Sequence, residues 1–462
     1  MKIAIIGSGI SGLSCAWLLT RHHPHAIVTL YEREARLGGH TNTIEVSHEG
    51  ITHPIDTGFW VFNDWTYPNL IALFAHLGVP VAPSDMSFGV KLTDARGNSR
   101  LEWCGSDRWS SVFAQPSNIF RPAFWQMLSD LVRFNRDATK LAKHADLVTG
   151  TLGAYLDAHG YSRAFRDWYL RPMAACIWST PTQKIDDFPL ATFLRFCANH
   201  GLLAVNDRPQ WRTVSGGARQ YVERIAAVLT DVRLSAGVSA VRRAPEGVVI
   251  ESARGAERFD HVVFACHSDQ ALALMADASD AERAALSCIP YQANVAIVHT
   301  DASLLPTRPR AWAAWNYHAD FDANQPTTKV RAAEVNATES DLDAPVTLTY
   351  LINKLQPVPF KSPVMVTMNP RTPPDPAKVI RTIAYEHPVF LATSVDAKRA
   401  IRGLQGQRNT WFAGAWTRYG FHEDGLMSGV SVAKALGATI PWPTQTPAAN
   451  DLTQSYPGID TP

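Results

Sequence analysis

Residues 2–31 open with KIAII (Lys2–Ile6), turn through Gly7-Ser8-Gly9-Ile10-Ser11-Gly12, run on to Arg21, and end in AIVTLY (Ala26–Tyr31). The first run is short, continuous and apolar, the pattern of a parallel strand buried on both faces. Leu13, Ala16, Trp17 and Leu19 share the apolar side of a helix over Ser11–Arg21, and the second apolar run reads as a returning strand. Strand, glycine turn, helix and strand within about thirty residues make a βαβ unit. The glycines keep G-x-G-x-x-G spacing. The first allows the tight turn, the second lets a diphosphate approach the backbone, and the third lets helix and strand pack closely. The N–H groups and positive dipole end of the helix then face an anion. Met1-Lys2 before an apolar run imitates a signal peptide, but three glycines at helix-opening spacing do not belong in such a segment.

Glu32 closes the second strand, twenty residues beyond Gly12, where an acid accepts hydrogen bonds from a ribose diol and would repel the 2′-phosphate of NADP. The bland alternative is a solvated charge in the Glu32-Arg33-Glu34 cluster. Arg36-Leu37-Gly38-Gly39-His40 follows, and paired glycines here let the chain pass beneath a flavin nucleotide, which points to FAD rather than NAD. Asp56-Thr57-Gly58-Phe59 either continues that site or is an ordinary turn. On this reading FAD is bound by Gly7, Gly9, Ile10, Ser11, Gly12, Glu32, Arg33, Gly38, Gly39, His40, Gly58 and Phe59.

The rest of the chain frames this unit. At 462 residues, 46% apolar and 18% charged, it has material for two packed domains. A formal charge of +1 gives no reason to expect nucleic acid. The six cysteines are dispersed, with no CxxC pair and no zinc-ligand spacing, so reduced, buried thiols and no metal are expected. No stretch is apolar enough to span a bilayer. A cytoplasmic protein is expected, with peripheral contact at the inner membrane face left open, although no basic amphipathic helix stands out. Residues 101–200 read as largely helical, punctuated by Pro116, Pro122, Pro172 and Pro181. A helix over Ala218–Leu229 and strands at Gly247–Glu251 and His261–Ala265 return to α/β. Val295–His299, Thr347–Ile352 and Val364–Thr367 read as a second sheet, Thr410–Ala413 as a strand, and Leu426–Leu436 as a helix. The fold class is α/β: a Rossmann-type FAD-binding domain from residues 1–85, 205–270 and 405–440, interrupted by a mixed α+β substrate domain from 86–204 and 271–404. Residues 441–462 form a loose tail.

These residues carry a resemblance. Gly7 to Gly12, Glu32, Gly38-Gly39, Ser215-Gly216-Gly217, Asp260 to Ala265, Phe412-Ala413-Gly414, Gly425 and Gly429 together resemble the flavin-containing amine oxidase and phytoene desaturase superfamily. Asp56–Phe62, Ser84–Phe88, Pro172–Ser179, Arg208–Arg212 and Tyr419–Gly429 look most like a bacterial subfamily of FAD-binding oxidoreductases encoded beside cyclopropane-fatty-acid-synthase-like methyltransferases. The resemblance implies that backbone at Val238 meets the adenine and that Gly414 lies near the ribityl phosphate. It puts Ala415 where relatives carry an acid, and Gly425, Leu426 and Met427 at the start of a helix facing the flavin's N1–C2 edge. His40 stands where arginine is common.

Amine oxidases of this superfamily place a lysine on a strand that aligns with Pro290–His299, and this chain has none there; Leu426 replaces one of their caging aromatics. The expected substrate is therefore apolar and lipid-like, an unsaturated acyl chain or polyene, with hydride moving between it and flavin N5. Redox-neutral double-bond isomerisation, amine oxidation, and a non-catalytic flavin protein partnering a lipid methyltransferase are the alternatives. Trp60, Phe62, Trp65, Trp168, Trp178 and Phe196 are candidates for the pocket wall or for ordinary core. His422 and Tyr419, read as loop residues before the last helix, are the candidate catalytic groups, His422 as a proton donor titrating near neutrality. Glu423 and Asp424 have the duller role of stabilising a helix start. Arg208 and Arg212 suit either a carboxylate ligand or an ion pair between domains. Nothing in the sequence names the electron acceptor.

Overall fold

The computed structural model describes residues 1–94, 96–106, 109–178, 181–203, 208–320, 346–390 and 394–443. Most of the expected tail, residues 444–462, lies outside them.

Strand β1 (Lys2–Ile6), helix α1 (Ile10–His22) and strand β2 (Ile27–Tyr31) form the βαβ unit. They sit at the centre of a parallel sheet of five strands, in the order Asp231–Arg233, β2, β1, His261–Phe264, Thr410–Phe412. Three separated stretches of chain thus supply one sheet. β1 is continuously apolar because it is buried twice. Ile3 and Ile5 pack with α1 and the His422–Ala435 helix, while Ala4 and Ile6 pack with Tyr31, Phe264 and Phe412 on the other face. An antiparallel sheet over Val238–Ala244, Gly247–Ser252 and Gly255–Phe259 covers that second face.

The other half is built on a mixed sheet of seven strands, ordered Val379–Pro388, Tyr291–His299, Met365–Met368, Leu348–Leu351, Trp315–Asp320, Phe88–Thr93, Ser99–Gly105. All neighbours are antiparallel except Trp315–Asp320 with Phe88–Thr93. Helices Pro122–Ala142, Arg171–Trp178 and Leu190–Asn199 share a large apolar core with it. The helical expectation from Leu101 onward fails at its start. Ser99–Gly105 is a strand whose four central residues are all buried, a continuous run that periodicity cannot tell from helix.

The halves are stitched by a buried acid. Asp56 accepts from Thr43 Oγ1 at 2.5 Å, from the Ala218 N–H at 2.9 Å and from Gln356 Nε2 at 2.8 Å. Burial pushes its carboxyl up to about 6, although these donors pull the other way. The Asp-Thr-Gly segment is therefore more than an ordinary turn. All six cysteines are free.

Candidate functional site

The glycine turn is held by backbone contacts that tolerate no larger residue. Gly7 has φ +105°, and an added Cβ would stand 2.7 Å from the Ala265 carbonyl oxygen; at Gly12 it would stand 1.9 Å from that of Gly7. Gly9 differs. Its φ of −63° suits any residue and an added Cβ meets no protein atom within 4 Å, yet Gly9 lines the central cavity. Steric need at Gly9 must therefore come from something other than the chain.

Glu32 accepts from the Ser8 N–H at 2.9 Å, from Ser8 Oγ at 2.5 Å and from the Glu34 N–H at 2.9 Å. It braces the glycine turn while still lining the cavity, so the acid is no merely solvated charge. The paired glycines meet the same turn: the Gly38 N–H donates to the Ser8 carbonyl at 3.0 Å, and a Cβ on Gly39 would lie 3.1 Å from Gly9 Cα. Gly58 is required too, because a Cβ there would come within 2.3 Å of the His40 carbonyl oxygen.

These segments border one cavity of about 2380 Å³, well above the few hundred to one thousand Å³ of a single small-ligand pocket. Gly7, Gly9, Ile10, Ser11, Glu32, Arg33, Gly38, Gly39, His40, Gly58, Phe59, Val238, Gly414 and Ala415 all line it. Gly12 does not; its place is the packing contact behind the turn.

The end of the site differs from expectation. The last helix opens at His422, four residues before Leu426, with the Phe421 N–H bonded to the Asp424 carboxylate at 3.0 Å. Tyr419, Phe421 and His422 make the cavity wall there. Gly425, Leu426 and Met427 sit a turn behind it. Gly425 and Gly429 let this helix touch α1, a Cβ at Gly429 falling 2.2 Å from the Ser11 carbonyl oxygen, and Leu426 is fully buried in the core. Glu423 caps a different helix, Pro68–Leu77, accepting from the N–H groups of Asn69 (3.0 Å) and Leu70 (2.8 Å) and from Asn69 Nδ2 (2.7 Å). Burial pushes its carboxyl up to about 7.

His422 is not the near-neutral proton donor that the sequence suggests. Its ring stacks on Phe59 at 3.8 Å, its Nε2 meets the Tyr221 hydroxyl at 2.9 Å, and burial lowers its pKa to about 3. A neutral ring so placed positions Phe59 and Tyr221. Tyr419 remains at the wall. Of the six candidate aromatics, Trp60, Trp178 and Phe196 line the cavity, whereas Phe62 lies in the core and Trp65 and Trp168 do not reach the wall. Arg208 lines the cavity, and Arg212 lies on the strand Trp211–Val214.

The sequence reading misses a histidine–tyrosine cluster. His40 stacks against Tyr385 at 5.1 Å, with His387 at 5.3 Å and His267 at 6.3 Å; His267 in turn stacks on Tyr291 at 4.2 Å. All five line the cavity. Burial first, and then the neighbouring imidazoles, keep His40 neutral, and its buried Nε2 has no hydrogen-bond partner among the described residues. Tyr385 and His387 are alternate residues of an edge strand and so share a face, the one signal that could have paired them. Among the described residues no group of His, Cys, Asp or Glu is arranged to hold a metal ion.

A family model described as flavin containing amine oxidoreductase matches residues 10–437. The chain belongs to this family. It is an FAD-dependent oxidoreductase. No match appears among curated proteins compared by sequence. Several solved structures share the fold of this flavoenzyme over 94% of its length. A fatty acid isomerase from P. acnes that produces CLA matches over 98% of its own chain at 16% identity, with a TM-score of 0.60. Cyclohexylamine oxidase from Brevibacterium oxydans matches over 99% at 19% identity and a TM-score of 0.59. Putrescine oxidase bound to putrescine matches over 99% at 14% identity and 0.61. The flavoenzyme's cavity fits such a cofactor on its own evidence, namely the open face at Gly9, the unpartnered Nε2 of His40 and a volume beyond a single small ligand. Among the described residues no helix is long and apolar enough to cross a membrane.

Proposed function

We propose that this oxidoreductase acts on an apolar chain carrying or acquiring a double bond, a fatty-acyl or polyene substrate. The carrying observation is the wall beyond the flavin segments. Met173, Ile177, Trp178 and Phe196 from the helices of the second half, with Met86 and Trp103 from its sheet side, extend the cavity. Such a lining takes up a hydrocarbon by desolvation and offers an amine little. Strand Tyr291–His299, the place of the lysine in amine oxidases, carries none.

In this reading the turn Gly7–Gly12 with the α1 N-terminus holds the FAD diphosphate, Glu32 and Val238 the adenosine end, and Gly38, Gly39, His40, Gly58, Phe59, Gly414 and Ala415 the remainder. Bound FAD supplies two-electron, hydride-level chemistry. The protein contributes approach, exclusion of water and the handling of one proton. His40, which burial and the neighbouring imidazoles keep neutral, leaves its Nε2 unpartnered and so open to a hydrogen bond with the cofactor or the substrate.

Desaturation removes a hydride and a proton from adjacent carbons; isomerisation returns both. The fold shared with a fatty acid isomerase favours keeping isomerisation as the second reading. Anaerobic titration of the flavoprotein with acyl chains of different double-bond pattern tests both. Bleaching with a product two hydrogens lighter is expected for desaturation, and an unchanged product mass marks isomerisation. Bleaching by putrescine or cyclohexylamine alone overturns the proposal.

A further inference from the structure

Large apolar side chains are exposed together at one edge of the second half. Phe120 is 85% exposed, Trp109 70% and Val132 60%, with Ile119 and Trp125 at 47% each. They form one surface. Trp109 stacks on Phe113 at 6.0 Å, Phe113 meets Trp125 at 5.2 Å, and Trp125 Nε1 donates to the Ile119 carbonyl at 2.8 Å. Val132 follows Trp125 by seven residues and shares its side of the Pro122–Ala142 helix. Exposed aromatics in such a group are costly in water and mark an interaction site.

Two further observations say what covers it. The central cavity reaches this edge, since Trp109, Val112, Leu128, Leu131 and Val132 all line it. Trp109 and Val132 are thus both outer surface and inner wall, which makes them the mouth. The rim is also cationic. Arg136, Lys140 and, just past the helix end, Lys143 continue the side of the Pro122–Ala142 helix that carries Trp125 and Val132, and Arg121 precedes that helix; Arg136 pairs with Asp137, and Arg100 with Asp94. Arg121 Nη1 donates to the Arg100 carbonyl at 2.7 Å, directly beside exposed Phe120. Trp and Phe at the tip with Lys and Arg around them match the apolar–polar boundary of an anionic bilayer. The helix escapes sequence inspection because Trp109, Ile119 and Phe120 come from outside it.

We propose that this edge docks on an anionic lipid bilayer and that the cavity opens onto the membrane, so that an acyl chain enters from the bilayer without crossing water. The identity of the entering chain rests on the substrate reading above; the docking itself does not.

The test is flotation of the full-length, FAD-loaded protein with phosphatidylglycerol–phosphatidylethanolamine vesicles and with phosphatidylcholine vesicles. Wild type is expected to float with the anionic vesicles and to be released by salt. Ile119→Ser with Phe120→Ser, neither residue lining the cavity, should cut partition about tenfold or more at unchanged flavin content. Arg136→Glu with Lys140→Glu should remove the preference for anionic over neutral vesicles. The proposal is overturned if wild type does not float, if the serine variant floats equally, or if sedimentation shows a dimer that the serine variant dissociates, a second copy then being the cover. Turnover of detergent-dispersed acyl chains separates the two readings. Turnover without flotation sinks the docking alone, and flotation without turnover sinks the substrate reading alone.

Discussion

The two halves of this protein encode function in opposite ways. In the nucleotide half the critical features are backbone approaches: Gly7 against Ala265, Gly12 against Gly7, Gly58 against His40. In the second half the cavity wall is a set of bulky side chains drawn from helices and strands far apart in sequence, among them Trp103, Met173, Trp178 and Phe196. A site made by what the chain lacks is fixed position by position. One made by apolar bulk is set by total shape and tolerates exchange. The first fails all at once, and the second drifts in specificity.

Replacing Gly12 by Val should have the largest effect, costing more than about 3 kcal/mol because the Cβ overlaps a backbone carbonyl that cannot yield, so that no folded yellow protein is recovered. A folded, FAD-bound Gly12→Val protein would break the contrast at its root.

Acid should come next, and it strikes both halves. Burial lowers His200, His299 and His387 to about 4 and His422 to about 3, from an ordinary 6.5. The unfolded chain binds more protons below 6.5, so their contribution is intact above that pH and is lost as pH falls through the folded values. At about pH 5 the cost is on the order of 2 kcal/mol per residue, a large share of a typical fold's stability. Urea midpoints measured from about pH 8 to 5 should fall; a flat profile contradicts the buried, neutral placement.

Glu423 works in the reverse direction. Its folded value, raised to about 7 from 4.5, means stability is gained as pH falls through 7 and is complete below 4.5. Against Glu423→Gln, wild type should therefore improve by about 3 kcal/mol between about pH 8 and 4.5. An unchanged gap would show that the cap on Pro68–Leu77 stays ionised without penalty.

The smallest effect belongs to the second half. Ile177→Trp fills open cavity, so stability should move by less than about 1 kcal/mol and flavin content stay constant, while the longest acyl chain turned over becomes shorter. Loss of flavin instead would show that the two halves are not separable in this way.

What the sequence discloses follows the same division. The βαβ unit, its glycines and the apolar second strand are local patterns, and their element ends lie within a residue or so of the reading. The last helix begins earlier than read because its first turn, His422-Glu423-Asp424, carries no Ser, Thr or Asn cap and instead uses Asp424 reaching back to the Phe421 N–H. The His40–Tyr385–His387–His267 cluster joins a loop, an edge strand and the residue that opens the helix Ser268–Leu274, spread over more than three hundred positions of sequence, and no local periodicity announces it. Glu423 illustrates the same limit. Its burial under Asn69 and Leu70 is a tertiary fact.

Gly9 gives the sharpest test of the cofactor's position. Its backbone accepts a Cβ and an added one meets no protein atom within 4 Å, so Gly9→Ala should fold with stability within about 1 kcal/mol of the apoprotein yet bind FAD far more weakly on titration. Flavin binding at wild-type affinity by that variant would contradict the account, because the diphosphate would then lie somewhere other than against the glycine turn.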